Sequence, residues 1–276
     1  MNENKNENGI MAADLAETHA EKQANKHAAP LDLIQECGGE DPKRVLLYGP
    51  AGIGKTTFGA AAPAPIFIRT EAAFGKVKAS SFPVAQTLAD VYNYLRALCM
   101  GEHDYLTMVI DTVSSLEPLL WKDVCDREKK KDIEAFGYGK GYTYAEAEWR
   151  KLLTAIDATL ERQPQMGCIL LGHSEVIRFE APDLEPYDTY SVALHKKARA
   201  TVERWADTIL CAQEKAYLVT EEEGFGKKRV RAVGDGERVM YTQNRPAWTA
   251  KNRHDLPLEL PLSFKAFAAA LQEGGE

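Results

Sequence analysis

The run Gly49-Pro50-Ala51-Gly52-Ile53-Gly54-Lys55-Thr56 matches GxxxxGK[ST] in full, and each residue type in it has a chemical reason. Glycines let the backbone curl until successive N–H groups point inward at a bound phosphate. The Lys55 ammonium suits the β- and γ-phosphates of a nucleoside triphosphate, and the Thr56 hydroxyl suits a magnesium ion. With Thr57 beside them, these residues form a candidate binding set for ATP and Mg2+. The plain alternative is a glycine-rich turn with an exposed lysine.

A site of this kind needs a second acidic group to hold the metal through its water shell. Asp111, at the end of the apolar run from Tyr105 to Ile110, supplies one, or else merely caps a helix beginning near Ser114. Many ring ATPases place Glu directly after this Asp, but Thr112 stands there. Glu71, just past the run Ile66–Arg69, is the next candidate to orient or deprotonate water, the alternative being a surface carboxylate. His173 follows the run Gly167–Gly172 and is placed to sense a γ-phosphate, unless it is an ordinary satisfied histidine.

Short apolar runs at Val45–Tyr48, Ile66–Arg69, Leu106–Ile110 and Gly167–Gly172 must hold these groups. They alternate with amphipathic segments, the pattern of a parallel sheet with crossover helices. Thr87 and Asp90 read as a capping box ahead of Leu88, Val91, Tyr92, Leu95 and Leu98 at helical spacing. A longer helix is expected from Tyr144 to Arg162, with Trp149, Leu152, Leu153, Ile156 and Leu160 on one face. After Trp205 the segments Asp207–Gln213, Ala216–Thr220, Lys228–Val233 and Val239–Thr242 read as antiparallel strands on one sheet edge, separated by turns such as Gly224-Phe225-Gly226. A helix from Ser263 to Gln272 closes the chain.

The expected fold is therefore α/β, a mostly parallel central sheet flanked by helices with antiparallel strands added toward the C-terminus. One domain spans 31–276, with a β-rich extension at about 207–260 and a terminal helix at about 263–272. Residues 1–30 are polar and read as a flexible tail, in which a helix at about 13–26 would have no apolar stripe to dock with.

A net charge of -7 excludes a protein that coats nucleic acid by global positive charge, so any DNA contact must be local. The five cysteines, Cys37, Cys99, Cys125, Cys168 and Cys211, are scattered without a CxxC pair and read as reduced thiols. No apolar run approaches the roughly 18 residues of a membrane span, and no secretory leader is recognisable. A soluble protein of the cytoplasm, without a membrane partner, is expected.

Over residues 43 to 265 these motifs resemble RecA-type recombinases. Phe67-Ile68-Arg69-Thr70-Glu71-Ala72 resembles their strand bearing the catalytic glutamate, and Val109-Ile110-Asp111 resembles their metal-holding strand. His173 stands where that family commonly keeps Gln, and Ala250-Lys251-Asn252-Arg253 resembles the basic segment that reaches ATP on a neighbouring protomer. The whole looks most like the short, core-only RecA-like ATPases of bacteriophages, the Sak-type single-strand annealing proteins, often labelled phage nucleotide-binding or AAA-domain proteins.

That resemblance implies a RecA-like P-loop fold and ATP hydrolysis in DNA recombination or annealing, inside a bacterial host cell. It also implies self-association into a ring or filament, single-stranded DNA as partner, and a single-strand DNA-binding protein as a further one. Lys251 and Arg253 would act in trans on the γ-phosphate.

The implied DNA-facing segments run from Arg127 through Lys129, Lys130 and Lys131 to Lys140 and Tyr142, and from Ile177 to Leu194, after which come His195, Lys196, Lys197 and Arg199. Cations interleaved with aromatics and glycines suit a flexible strand. The plain alternative is a solvated helix end followed by a loose loop, and Glu180, Asp183, Glu185 and Asp188 make the second segment acidic. Two other functions stay open: a nucleotide-gated switch or loader that recruits partners without touching DNA, and a small-molecule phosphotransferase, against which stands the lack of a compact arginine-rich lid.

Overall fold

The structure is a computed structural model that describes residues 42–180, 185–215, 217–223, 227–234 and 236–273. The segment 1–30 with its helix at 13–26, Cys37, Asp183 and the turn Gly224-Phe225-Gly226 lie outside the described residues.

In chain order the first half comprises β1 (Arg44–Gly49), α1 (Lys55–Ala60), β2 (Pro65–Arg69), β3 (Ser80–Ser81), α2 (Leu88–Met100), β4 (Thr107–Asp111), α3 (Val113–Arg127) and a 3-10 turn at Ile133–Phe136. There follow α4 (Lys140–Arg162), β5 (Gly167–Phe179), β6 (Tyr187–Val192), α5 (Lys196–Trp205), β7 (Thr208–Glu214), β8 (Tyr217–Glu223), β9 (Lys227–Val233), β10 (Arg238–Tyr241), β11 (Glu259–Pro261) and α6 (Phe264–Glu273).

The main sheet runs β11-β10-β7-β1-β5-β4-β2-β3. Strands β1 to β5 and β7 pair in parallel, while β10 lies antiparallel to β7 and β11 antiparallel to β10. The chain leaves β1 for β2, beyond the places of β5 and β4, returns through β4 and β5, and then crosses to β7 on the other side. This change of direction leaves a crevice over the carboxyl end of β1, where ligands of open α/β sheets bind.

Both faces of the sheet are covered, which is why its strands read as continuous apolar runs. Leu46, Tyr48, Ile68, Ile110 and Leu170 face a thick layer made by α2, α3, α4 and α5, with Trp149 at its centre. Val45, Leu47, Phe67, Val109 and Leu171 face a thin layer of Ile53, Phe58, Phe267 and Ala270 from the phosphate loop, α1 and α6. Each large side chain so buried contributes roughly 1.5–3 kcal/mol of transfer free energy. Gly49 is required by packing: a Cβ there would stand 2.5 Å from the Ala212 carbonyl oxygen.

The Thr87–Asp90 capping box is present, and the five apolar positions expected on α2 are all buried. The structure corrects other expectations. β7 pairs in parallel with β1, because the crossover through α5 returns the chain to the amino edge of the sheet. β8 and β9 form a separate two-stranded sheet, leaving β10 and β11 as the antiparallel extension. α4 begins at Lys140 instead of Tyr144, since Gly139 takes a left-handed conformation (φ 67°) that starts the helix. Gly141 then packs against the 3-10 turn so closely that a Cβ would meet the Ile133 carbonyl oxygen at 2.2 Å. This contact outweighs the poor helix propensity of glycine. Cys99, Cys125, Cys168 and Cys211 are free and buried, and no described helix is long and apolar enough to cross a membrane.

Candidate functional site

The phosphate loop leaves β1 at Gly49 and enters α1 at Lys55, with Gly52 (φ 77°) and Gly54 (φ 120°) in conformations that side chains avoid. Lys55 is buried, and its Nζ donates to the carbonyls of Gly49 and Pro50, each at 2.9 Å. Burial lowers its pKa, against the opposing pull of Asp111 and Glu71. Pro50, Ala51 and Gly52 form the open rim of the loop, Ile53 anchors it in the thin core layer, and Thr57 is exposed beside it.

Asp111 ends β4, and its Oδ2 accepts a 2.8 Å hydrogen bond from Thr56 Oγ1. Burial pushes its carboxyl up, partly offset by the Thr56 bond. Thr112, not Asp111, caps α3, its hydroxyl accepting from the Ser115 amide, so the capping reading of Asp111 falls away. A buried carboxylate whose partner is a hydroxyl is the donor pair that a magnesium ion coordinates. Among the described residues no three His, Cys, Asp or Glu side chains could hold a metal together. An ion here would therefore rest on Thr56, on Asp111 through water, and on the phosphates themselves.

Glu71 is placed by the corner between β2 and β4. The Thr70 amide donates to the Asp111 carbonyl (2.9 Å), and the Thr70 hydroxyl both donates to the Thr112 carbonyl and accepts from its amide. Glu71 Oε1 then accepts from Thr112 Oγ1 (2.6 Å), Ser115 Oγ (2.7 Å) and His173 Nε2 (3.1 Å). Burial raises the pKa of this carboxyl, but the three hydrogen bonds outweigh it and hold the group below its ordinary value.

His173 lies inside β5, where the strand leaves β1 and begins to pair with β6; its amide donates to Ser114 Oγ at 3.0 Å. The structure thus gathers Lys55, Thr56, Glu71, Asp111 and His173 at one crevice. Sequence reasoning missed Ser114 and Ser115, and it counted Thr112 only as a missing glutamate. The available signal was the run of hydroxyls, Thr112, Ser114 and Ser115, directly after the strand-end Asp.

The other candidates lie elsewhere. Lys129, Lys130 and Lys131 are exposed just past the end of α3, with Lys130 Nζ over the Phe136 ring at 5.9 Å. Lys140 and Tyr142 sit in the first turn of α4, and Lys196 and Lys197 in that of α5. These two turns meet: the Tyr142 and His195 rings stack at 3.9 Å and 7°, and Lys197 Nζ donates to Thr143 Oγ1 at 2.5 Å. Lys251 is occupied within its own chain, its ammonium donating to the carbonyls of Glu203 (3.1 Å), Arg204 (3.2 Å) and Ala206 at the end of α5. Arg253 is exposed.

Glu117, also unforeseen, ties this second region to α3. It is buried, and its Oε2 accepts from the His195 amide at 2.9 Å. Burial pushes its pKa from 4.5 up to about 7; the His195 bond and Arg199 oppose the shift, and Glu175 adds to it. A raised carboxyl favours the protonated folded state, so its contribution to stability is present below the unfolded value and is lost as pH rises toward the folded one. Glu117→Gln, which keeps an acceptor for His195, should therefore be about 1–3 kcal/mol more stable than the wild type above about pH 7. That advantage should shrink toward about pH 5, as followed by urea unfolding at both values.

Comparison with known families gives a match to an AAA domain over residues 41–254. A search of the curated proteins gives no match. The matched span takes in the phosphate loop, Glu71, Asp111 and His173, and the sheet has the α/β form such nucleotide sites require. The chain belongs to the AAA domain family of P-loop ATPases, which generally use ATP and Mg2+.

Proposed function

We propose that the chain hydrolyses ATP and acts on single-stranded DNA as a RecA-like protein of phage recombination or single-strand annealing, assembled as a ring or filament. The observation that carries the hydrolytic part is the pair of carboxylates at one crevice: Asp111 joined to Thr56, and Glu71 held by groups from β5 and α3. In this reading Lys55 and the loop amides hold the polyphosphate, and Thr56 and Asp111 hold the ion. Magnesium held there would supply Lewis-acid neutralisation of phosphate charge. Glu71, kept ionised by its hydrogen bonds, uses its other oxygen to orient water and draw its proton. His173, bonded to the same carboxylate, would register loss of the γ-phosphate and pass it into β5 and β6.

The nucleic-acid part is supported by the meeting of Tyr142 with His195, between helix starts that carry Lys140, Lys196 and Lys197. Two lysines in the first turn of α5 oppose its dipole, an arrangement that a phosphate strand would relieve. The trans contact rests on resemblance, and Arg253 is its better bearer, because Lys251 already caps α5. A single-strand DNA-binding protein is a further partner in this reading.

The test is phosphate release by the wild-type chain with and without single-stranded DNA, at low and high salt. Turnover should rise severalfold with DNA, and the rise should fade as salt increases. No release under any condition sinks the ATPase reading. Release indifferent to DNA sinks the DNA reading and favours a nucleotide-gated loader.

A further inference from the structure

Because β10 is antiparallel to β7, its first residue, Arg238, stands opposite Glu214 at the carboxyl edge of the parallel strands. β11 reverses direction again, and just past it the Leu262 amide donates to the Arg238 carbonyl at 2.9 Å. α6 then packs on α1, with the rings of Phe264 and Phe267 at 5.5 Å and 6.0 Å from that of Phe58. This packing carries both residues onto the phosphate loop. A Cβ built on Gly54 would lie 3.6 Å from Leu262 Cδ2 and 3.7 Å from Arg238 Nη1. Arg238 is exposed, and its guanidinium has no hydrogen-bond or ion-pair partner among the described residues.

The direction of a bound nucleotide follows from the sheet order. Thr56, Asp111, Glu71 and His173 define the metal and γ-phosphate end, on the side of β1 where β5, β4 and β2 lie. The nucleoside end must then lie on the opposite side, over β7, β10 and β11. A polyanion on that path passes an unpaired guanidinium, which can give two parallel N–H bonds to phosphate oxygens, and an apolar Leu262 that suits a ribose or base.

We propose that Arg238 is a nucleotide-binding residue that contacts the α-phosphate, and that with Leu262 it forms the wall of the nucleoside half of the pocket. The proposal rests on the reading of Gly49 to Thr56 as a triphosphate cradle. It is tested by calorimetric titration of Mg·ATP and Mg·ADP into wild type, Arg238→Ala and Arg238→Lys. Arg238→Ala should weaken both nucleotides alike, by about tenfold or more, since both carry the α-phosphate. Arg238→Lys, which keeps the charge but loses the paired geometry, should fall between wild type and the alanine variant.

Wild-type affinity in Arg238→Ala overturns the proposal and leaves the cradle standing. A loss confined to ATP also overturns it, by placing the cation at the γ end. A wild-type chain that binds neither nucleotide overturns the cradle itself, and the proposal with it.

Discussion

Glu71→Gln should lower ATP turnover by about 10²- to 10⁴-fold while leaving Mg·ATP affinity within about twofold. The amide keeps an oxygen for the hydroxyls of Thr112 and Ser115, so the corner between β2 and β4 stays closed. What disappears is the negative charge that draws a proton from water. The wild-type carboxyl is held below its ordinary pKa, so the base is already ionised at neutral pH, and its loss should appear across the working range. Phosphate release at saturating ATP, beside calorimetry on the same preparation, separates the two effects. Unchanged turnover would make Glu71 a structural carboxylate that merely ties β2 to α3.

The strands of the parallel core were legible because their residues are buried on both faces: Val45, Leu46 and Leu47 leave no polar position to confuse the reading. The α2 helix was legible for a local reason, since Thr87 and Asp90 satisfy each other's backbone amides. The partner of β7 was not. Whether Thr208–Glu214 joins β1 in parallel is decided by where α5 packs, a contact among residues far apart in sequence. The start of α4 was missed because Gly139 and Gly141 look like breakers, while one of them opens the helix and the other is needed for close packing.

In the site, the phosphate loop and Asp111 could be found from type and spacing alone. The partners of Glu71 could not, since Thr112, Ser115 and His173 reach it from a different helix and a different strand. Lys251 is the reverse case: its segment resembles a trans-acting one, and only the packed structure reveals three carbonyls around its ammonium.

Lys55→Ala should reduce Mg·ATP affinity by about 100-fold or more and abolish measurable turnover. Two losses combine. The first is the charge that would meet the β- and γ-phosphates, in a buried setting where a charge-assisted bond counts for more than at the surface. The second belongs to the loop itself, since Lys55 Nζ is bonded to the carbonyls of Gly49 and Pro50 and draws the two ends of the turn together. Without it those carbonyls lose their donor, and the loop amides lose part of their preorganisation toward phosphate. Lys55→Arg separates the contributions: it keeps a cation, but a planar guanidinium cannot repeat the bonds that the compact ammonium gives to both the Gly49 and Pro50 carbonyls. Its affinity should stay well below wild type. Wild-type affinity in Lys55→Ala would remove the lysine from the nucleotide site and leave the glycine turn as a structural element.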